Sequence, residues 1–314
     1  MGISTQQTIN TIDIINNTDL NGVNMINMIK RVVIIGHTGF IGSKIEQALR
    51  KNYPQVEIRG LSYPSFDIAS EAEKLKEHFD AETAVIMLAA VKKQFGDSID
   101  HCQKNIAMAV NLCRALQEQP VARVIYFSSA EVYGHFQHQV ISEETAVQPS
   151  SYYGIAKYAA ERMLLKAAPQ NLIILRPPQI YGPGDLPCYG PSGFLQEARS
   201  QEPIVLWGEG EEKREFIFVE DVAALVQKLV FSEHSGILNV TSGVSYSYQE
   251  VLEIIKKQLP SSSSSFLVAS KPRTSPQADF YFNNQKLKEF FPSFRFTTLS
   301  EGIENMNMAI EKIE

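Results

Sequence analysis

The chain has 314 residues, 44% hydrophobic and 20% charged, with a formal net charge of -6 at pH 7. That length supports a large core and one or two domains, and the composition is that of an ordinary soluble globular protein. The negative balance argues against a general affinity for nucleic acid or an anionic membrane surface, though local dipoles can still hold a small anion.

Residues 1–27 are rich in Asn, Thr and Ile and lack the basic start and apolar core of a secretory signal. They read as a poorly ordered extension. From Met28 onward, apolar strand-like runs alternate with helical spacing. Val32–Ile35 reads as a buried strand, Ile41–Leu49 as a helix, Val56–Leu61 as a strand and Ala69–Phe79 as a helix. Ala84–Ala89 follows as a strand, Asn105–Leu116 as a helix and Val124–Ser128 as a strand. Tyr153–Ala167 is a long helix and Leu172–Arg176 a strand. This alternation predicts an α/β fold, a Rossmann-like doubly wound parallel sheet covered by helices on both faces.

After Arg176, proline and glycine pairs at Pro177-Pro178, Gly182-Pro183-Gly184 and Gly190-Pro191 mark loops. The expectation is a dinucleotide-binding domain over 28–180 and a smaller C-terminal lobe over 181–215 and 246–314. Phe216–Val219 and Leu238–Val240, within 216–245, are expected to return to the main sheet. The Ser261–Ser265 tract reads as a flexible connector. Three widely spaced cysteines, Cys102, Cys113 and Cys188, without a CxxC, read as reduced thiols of a cytoplasmic protein. No apolar stretch approaches the ~18 residues that a membrane span needs.

Gly36-His37-Thr38-Gly39-Phe40-Ile41-Gly42 follows the first strand and opens a helix, the context in which such a glycine run binds a dinucleotide. Gly36 permits the turn, Gly39 a close approach of backbone to a pyrophosphate, and Gly42 close packing of helix on strand. The amides at the helix start suit phosphate. The second strand ends Glu57-Ile58-Arg59-Gly60-Leu61-Ser62, with Glu57 read as mid-strand and no acid to hold a ribose 2′-hydroxyl. Arg59 and Ser62 are placed to receive a 2′-phosphate, so NADP(H) is favoured over NAD(H). Arg59 reads equally as a surface strand residue.

Phenols ionise near ~10, so a tyrosine needs help to act near neutrality. Lys157 lies four residues after Tyr153, on the same helix face, where its charge favours the phenolate. Ser129, at a strand end, would hydrogen-bond the same substrate oxygen. Glu131 either faces the substrate as a further acid or base or is an exposed loop carboxylate. The six histidines, His135 and His138 among them, show no metal-ligand spacing, and no metal is expected.

These residues resemble the extended short-chain dehydrogenase/reductase superfamily, in particular its nucleotide-sugar epimerases, dehydratases and 4-ketosugar reductases. The likeness runs from about Lys30 to Ile310. Beyond the motifs above, Leu88-Ala89-Ala90 matches the strand end lining the cofactor, and Asn105 the family's helix asparagine. Leu175 to Gly184 resembles LRxxNxxGPG, and Gly208 to Asp221 resembles GxGxxxRDFxxVxD. The resemblance implies a nucleotide-sugar substrate contacted by Ser129, Glu131, Gln179, Arg214 and Arg273, the two arginines being candidates for its diphosphate. It implies a homodimer joined through the helices at 105–117 and 153–167. Gln179 replaces the usual Asn. Ala130 stands where dTDP-glucose-type dehydratases carry Asp, which disfavours that subclass.

About two dozen residues separate Gly60 from Ala84. So short a crossover resembles the reductase branch, where NADPH is common. The leading expectation is NADPH-dependent reduction of a nucleotide-linked 4-keto-6-deoxy sugar. The alternative is an epimerase, dehydratase or decarboxylase that recycles bound NAD. A non-catalytic dinucleotide sensor is a third reading, disfavoured by the intact Ser129, Tyr153 and Lys157.

Overall fold

Runs of β-branched residues form the centre of the molecule. A computed structural model describes residues 28–135, 140–168, 170–186, 190–259, 266–273 and 277–311. The readings of residues 1–27, His138, Cys188 and Ser261–Ser265 fall outside the described residues. Strands β1 (Arg31–Ile35), β2 (Glu57–Leu61), β3 (Thr83–Met87), β4 (Arg123–Phe127), β6 (Leu172–Arg176) and β10 (Gly236–Asn239) form one sheet in the order β10-β6-β4-β3-β1-β2. All its pairings are parallel.

Alternate side chains feed two cores, as the strand period of two requires. Ile34, Ile86, Ile125 and Ile173 meet Ile45 and Leu49 of helix α1 (Phe40–Asn52) and Val222 and Val226 of a helix over Val219–Val230. Val33, Val85, Val124 and Ile174 meet Leu112 and Leu164 on the opposite face. These belong to helices over Ile99–Glu118 and Tyr152–Ala167.

Ile35 pairs with both Leu61 and Met87, so Gly36, Ser62 and Leu88 emerge together at one edge of the sheet. The chain winds outward from β1 to β2 and then back to β3 on the other side of β1. This reversal opens a crevice at the carboxyl ends of the strands, where ligands of such sheets bind.

The return from β2 to β3 holds helix α2 (Ala72–Leu75) and a 3-10 turn at Lys76–His78, rather than the helix expected over Ala69–Phe79. Asn111 Nδ2 donates to the carbonyls of Ile68 (2.8 Å) and Ala69 (3.0 Å), which draws them out of a helical ladder. Glu57 is the first residue of β2 and not a mid-strand residue. The helix expected from Asn105 begins at α3 (Ile99–Glu118), whose N-terminus Ser98 caps. Helix α4 (Tyr152–Ala167) packs beside it.

Phe216–Val219 does not return to the main sheet. Strand β9 (Lys213–Phe218) lies between β7 (Gln179–Tyr181) and β11 (Ser245–Ser247) in a separate three-stranded sheet, while β5 (Val140–Ile141) and β8 (Ile204–Trp207) each belong to a two-stranded one. The place beyond β6 is taken by β10. Ile217 still reaches a main-sheet core, while Phe216 and Phe218 enter the core of the C-terminal lobe with Leu195, Leu206 and Ile255. One apolar strand thus serves two cores, which is why its sequence reads as a buried strand of either.

Candidate active site

The glycine turn is built for close approach. Gly36 has φ +96°, and a Cβ there would lie 2.8 Å from the amide N of Ala89. A Cβ on Gly42 would lie 2.2 Å from the carbonyl oxygen of Gly36. Gly39 precedes α1 and has no side chain to cap it, so the first amides of the helix are left for a ligand. Thr38 donates its amide to Ser62 Oγ (3.3 Å), tying the turn to the end of β2. The Asn105 side chain fastens the loop after β3, accepting from Val91 N (2.8 Å) and donating to Val91 O (3.0 Å). Phe40, Ile41, Leu88 and Ala90 line a cavity at the crevice, and Ala89 packs on Gly36. This cradle, with free amide donors and no room for a Cβ at Gly36 or Gly42, fits a dinucleotide diphosphate.

Arg59 is not brought to the cavity. Its Nε donates to Glu57 Oε1 (2.5 Å). At the strand end the His37 ring lies on Gly60, where a Cβ would be 2.3 Å away. His37 Nδ1 meets Glu46 Oε2 at 2.8 Å.

Ser129, Tyr153 and Lys157 line the same cavity. Ser129 ends the segment after β4 and accepts from the amide of Glu131 (3.2 Å). Lys157 is buried, donates from Nζ to Phe127 O (2.6 Å) and stands 5.6 Å from the centroid of the Tyr153 ring. Burial lowers its ammonium to about 7. Helix α4 is fixed where these groups sit. Ser151 Oγ accepts from Gly154 N (3.1 Å), and Asp97 accepts from the amides of Tyr153 (3.0 Å) and Tyr152 (3.3 Å). Glu131 also borders the cavity, held by Lys93 Nζ (2.9 Å) and the Ser151 hydroxyl (3.1 Å).

A buried polar network underlies these residues. Arg176 donates to Glu161 from Nε (2.9 Å) and Nη2 (2.6 Å) and to the Tyr133 hydroxyl from Nη1 (3.0 Å). Tyr133 donates to Asn239 Oδ1 (2.7 Å), and Ser128 donates to Glu161. Burial alone would lower Arg176, but Glu161 holds it above the usual arginine range.

On the lobe side, Gln179 and Arg214 line the cavity. Their strands are neighbours, with Gln179 opposite Phe216. Arg214 donates to Glu212 Oε1 (2.6 Å) and lies 4.6 Å over the Phe280 ring. Arg273 does not border the cavity, but its Nη1 lies 3.3 Å from the same Glu212. One carboxylate between two guanidinium groups leaves a positive edge there. The Oε1 of Gln179 and the Nε2 of Gln94, another wall residue, are buried without a partner among the described residues. Unpaired buried polar atoms in a cavity wall are suited to a polar ligand.

Lys92, Lys93, Gln94, Asp185, Phe280 and Phe282 also border the cavity and were not foreseen. The run after Leu88-Ala89-Ala90 was readable, since residues just beyond a strand end face the crevice. Phe280 and Phe282 carry no motif. Glu215 was likewise missed. It is buried and receives Thr241 Oγ1 (2.6 Å) and Gly243 N (3.1 Å), which anchors the loop after β10. Burial raises its carboxyl despite these donors. Among the described residues, no cluster of His, Cys, Asp or Glu is placed to hold a metal ion.

Residues 32–241 match the model of the NAD dependent epimerase/dehydratase family. The chain belongs to this family. It is accordingly an NAD(P)-dependent enzyme of the extended short-chain dehydrogenase/reductase superfamily. It is 27% identical to the dTDP-4-dehydro-6-deoxyglucose reductase of Escherichia coli, over 73% of this chain and 81% of that protein. It is 25% identical to the GDP-L-fucose synthase of Sinorhizobium fredii, over 79% of this chain and 86% of that one. Its fold is similar to that of UDP-glucuronic acid 4-epimerase from Bacillus cereus, solved with UDP-glucuronic acid and NAD. That match has a TM-score of 0.79 and 19% identity, over 90% of this chain and 100% of that chain. Among the described residues of this family member, no helix is long and apolar enough to cross a membrane.

Proposed function

We propose that the protein is an NADPH-dependent reductase of a nucleotide-linked 4-keto-6-deoxy sugar. The observation that carries this reading is the edge position of β2. The chain returns to β3 through a short helical turn, and Ser62 rather than an acid follows the strand. When bound, a nicotinamide cofactor would supply the hydride that the C4 carbonyl carbon accepts. Tyr153 gives its phenolic proton to the carbonyl oxygen, and Ser129 orients that oxygen. Lys157, one turn on, stabilises the phenolate left behind. The amides at the start of α1 would hold the cofactor diphosphate. Arg214, with Arg273 behind Glu212, faces the diphosphate of the substrate.

The domain division follows the same logic. Residues 28–180 with the strand from 236 hold the cofactor, and the lobe holds the nucleotide sugar. A cytoplasmic homodimer is part of this reading.

A second reading is favoured by Glu131, a carboxylate braced by Lys93 and Ser151 at the cavity. It suits an epimerase, dehydratase or decarboxylase that recycles bound NAD. To decide, the purified protein is denatured and any released dinucleotide identified by mass. Stoichiometric NAD sinks the reductase reading. The reductase predicts an empty or NADP-loaded site, and stoichiometric oxidation of added NADPH by a nucleotide-linked 4-keto-6-deoxy sugar.

A further inference from the structure

With Arg59 held by Glu57, the end of β2 needs another cation if it is to take a 2′-phosphate. Arg50, nearby on α1, is held by Glu46 (2.7 Å), which also takes His37 (2.8 Å). Lys104 is different. It is exposed on α3 and has no carboxylate partner among the described residues, and its Nζ lies 5.8 Å from the centroid of the Tyr63 ring. Tyr63 is the second residue beyond β2 and is 73% exposed.

The placement is fixed from both sides. Asn105, the next residue of α3, binds the loop after β3 through Val91. Ser62, the residue before Tyr63, accepts from the glycine turn at Thr38, which leaves its own hydroxyl proton free to donate. The helix therefore sets this ammonium beside Tyr63, one residue past Ser62 at the strand end.

We infer that Lys104 is a cofactor-specificity residue, which with the Ser62 hydroxyl receives the 2′-phosphate of NADP(H) in place of a strand arginine. The inference rests on the NADPH reading proposed above. An ammonium on a flexible stem suits this task, since it meets phosphate as a point charge without a fixed fork geometry.

The test is binding, read by calorimetry with 2′,5′-ADP and with 5′-AMP as probes. The native chain should bind 2′,5′-ADP at least about tenfold more tightly, with the preference shrinking as salt rises. Lys104→Met should lose most of that preference while keeping its affinity for 5′-AMP and its melting temperature. Lys104→Arg should keep the preference. If the native chain binds both probes alike, the NADPH reading fails and takes this inference with it. If the native chain discriminates and Lys104→Met still does, the NADPH reading stands and the role of Lys104 is overturned. Equal loss of both probes in Lys104→Met also overturns it.

Discussion

Tyr153 and Lys157 stand one helical turn apart, and their value to the proposed reduction lies in what the phenol can release. Tyr153→Phe keeps the ring and removes only the hydroxyl. It should lower kcat by about 10²- to 10⁴-fold, the usual worth of a positioned proton donor. Binding of NADPH should be unchanged, and a variant of near-native rate would mean that Tyr153 is not the proton donor. Lys157 offers a test that needs no substrate. Its folded ammonium titrates at about 7, against ~10.4 for an unfolded lysine. Between those values the unfolded chain keeps a proton that the folded chain has lost. This group therefore makes the fold more stable as pH rises, by up to about 1.4 kcal/mol per pH unit. Lys157→Met removes that slope. In urea unfolding of the ligand-free chains, the native chain should gain on the variant between about pH 7 and about pH 9. A constant difference would mean that Lys157 is charged throughout.

At the scale of elements, two contacts hold the site in shape. Helix α1 meets the glycine turn backbone to backbone, and a Cβ at Gly42 would sit 2.2 Å from Gly36 O, with no flexible side chain to yield. Gly42→Ala should destabilise by about 1–3 kcal/mol, the usual cost of overpacking, and weaken NADPH binding more than tenfold. Native affinity in that variant would show that the helix can slide. Helix α4 is tied to β6 by the buried Glu161–Arg176 pair. Glu161→Gln leaves the guanidinium buried without its counter-charge and should cost about 3–5 kcal/mol in denaturant unfolding. Elements of this kind were largely legible in the sequence, because strand runs and helix spacing are local patterns. Ser129, Tyr153 and Lys157 were legible for the same reason, each lying in a short motif on a predictable element. The pairing of β9 was not legible. Nothing local distinguishes β9 as a partner of β7 from a strand of the main sheet, since Ile217 and Phe216 are both apolar. Arg59 misled because a strand-end cation looks available until Glu57, two residues away, is seen to hold it. Asp97 and Phe280 reach the site from segments without a motif, and only the fold brings them there.

At the scale of the molecule, the starts of α3 and α4 lie side by side, joined by Asp97, which precedes Ser98 and accepts from the amides of Tyr152 and Tyr153. Around this junction Phe95, Ile99, Tyr152 and Ile155 expose large apolar side chains, Ile155 at 44%. An apolar cluster of that kind at the ends of two packed helices is the surface a second copy would cover, in keeping with the homodimer that the family resemblance implies. In a twofold interface each patch meets its own copy, so a charge placed there is doubled across the axis. Ile155→Glu should therefore convert a dimer to a monomer in sedimentation at micromolar concentration. Its side chain points away from the buried face of α4, so the monomer should keep its fold. A native chain that sediments as a monomer would remove the dimer from the proposal. A variant that stays dimeric would move the interface to another face. Because Tyr153 lies between Tyr152 and Ile155 on the same turn, loss of the dimer should also loosen the catalytic helix start. The expected result is a lower kcat in the monomeric variant with its affinity for NADPH retained.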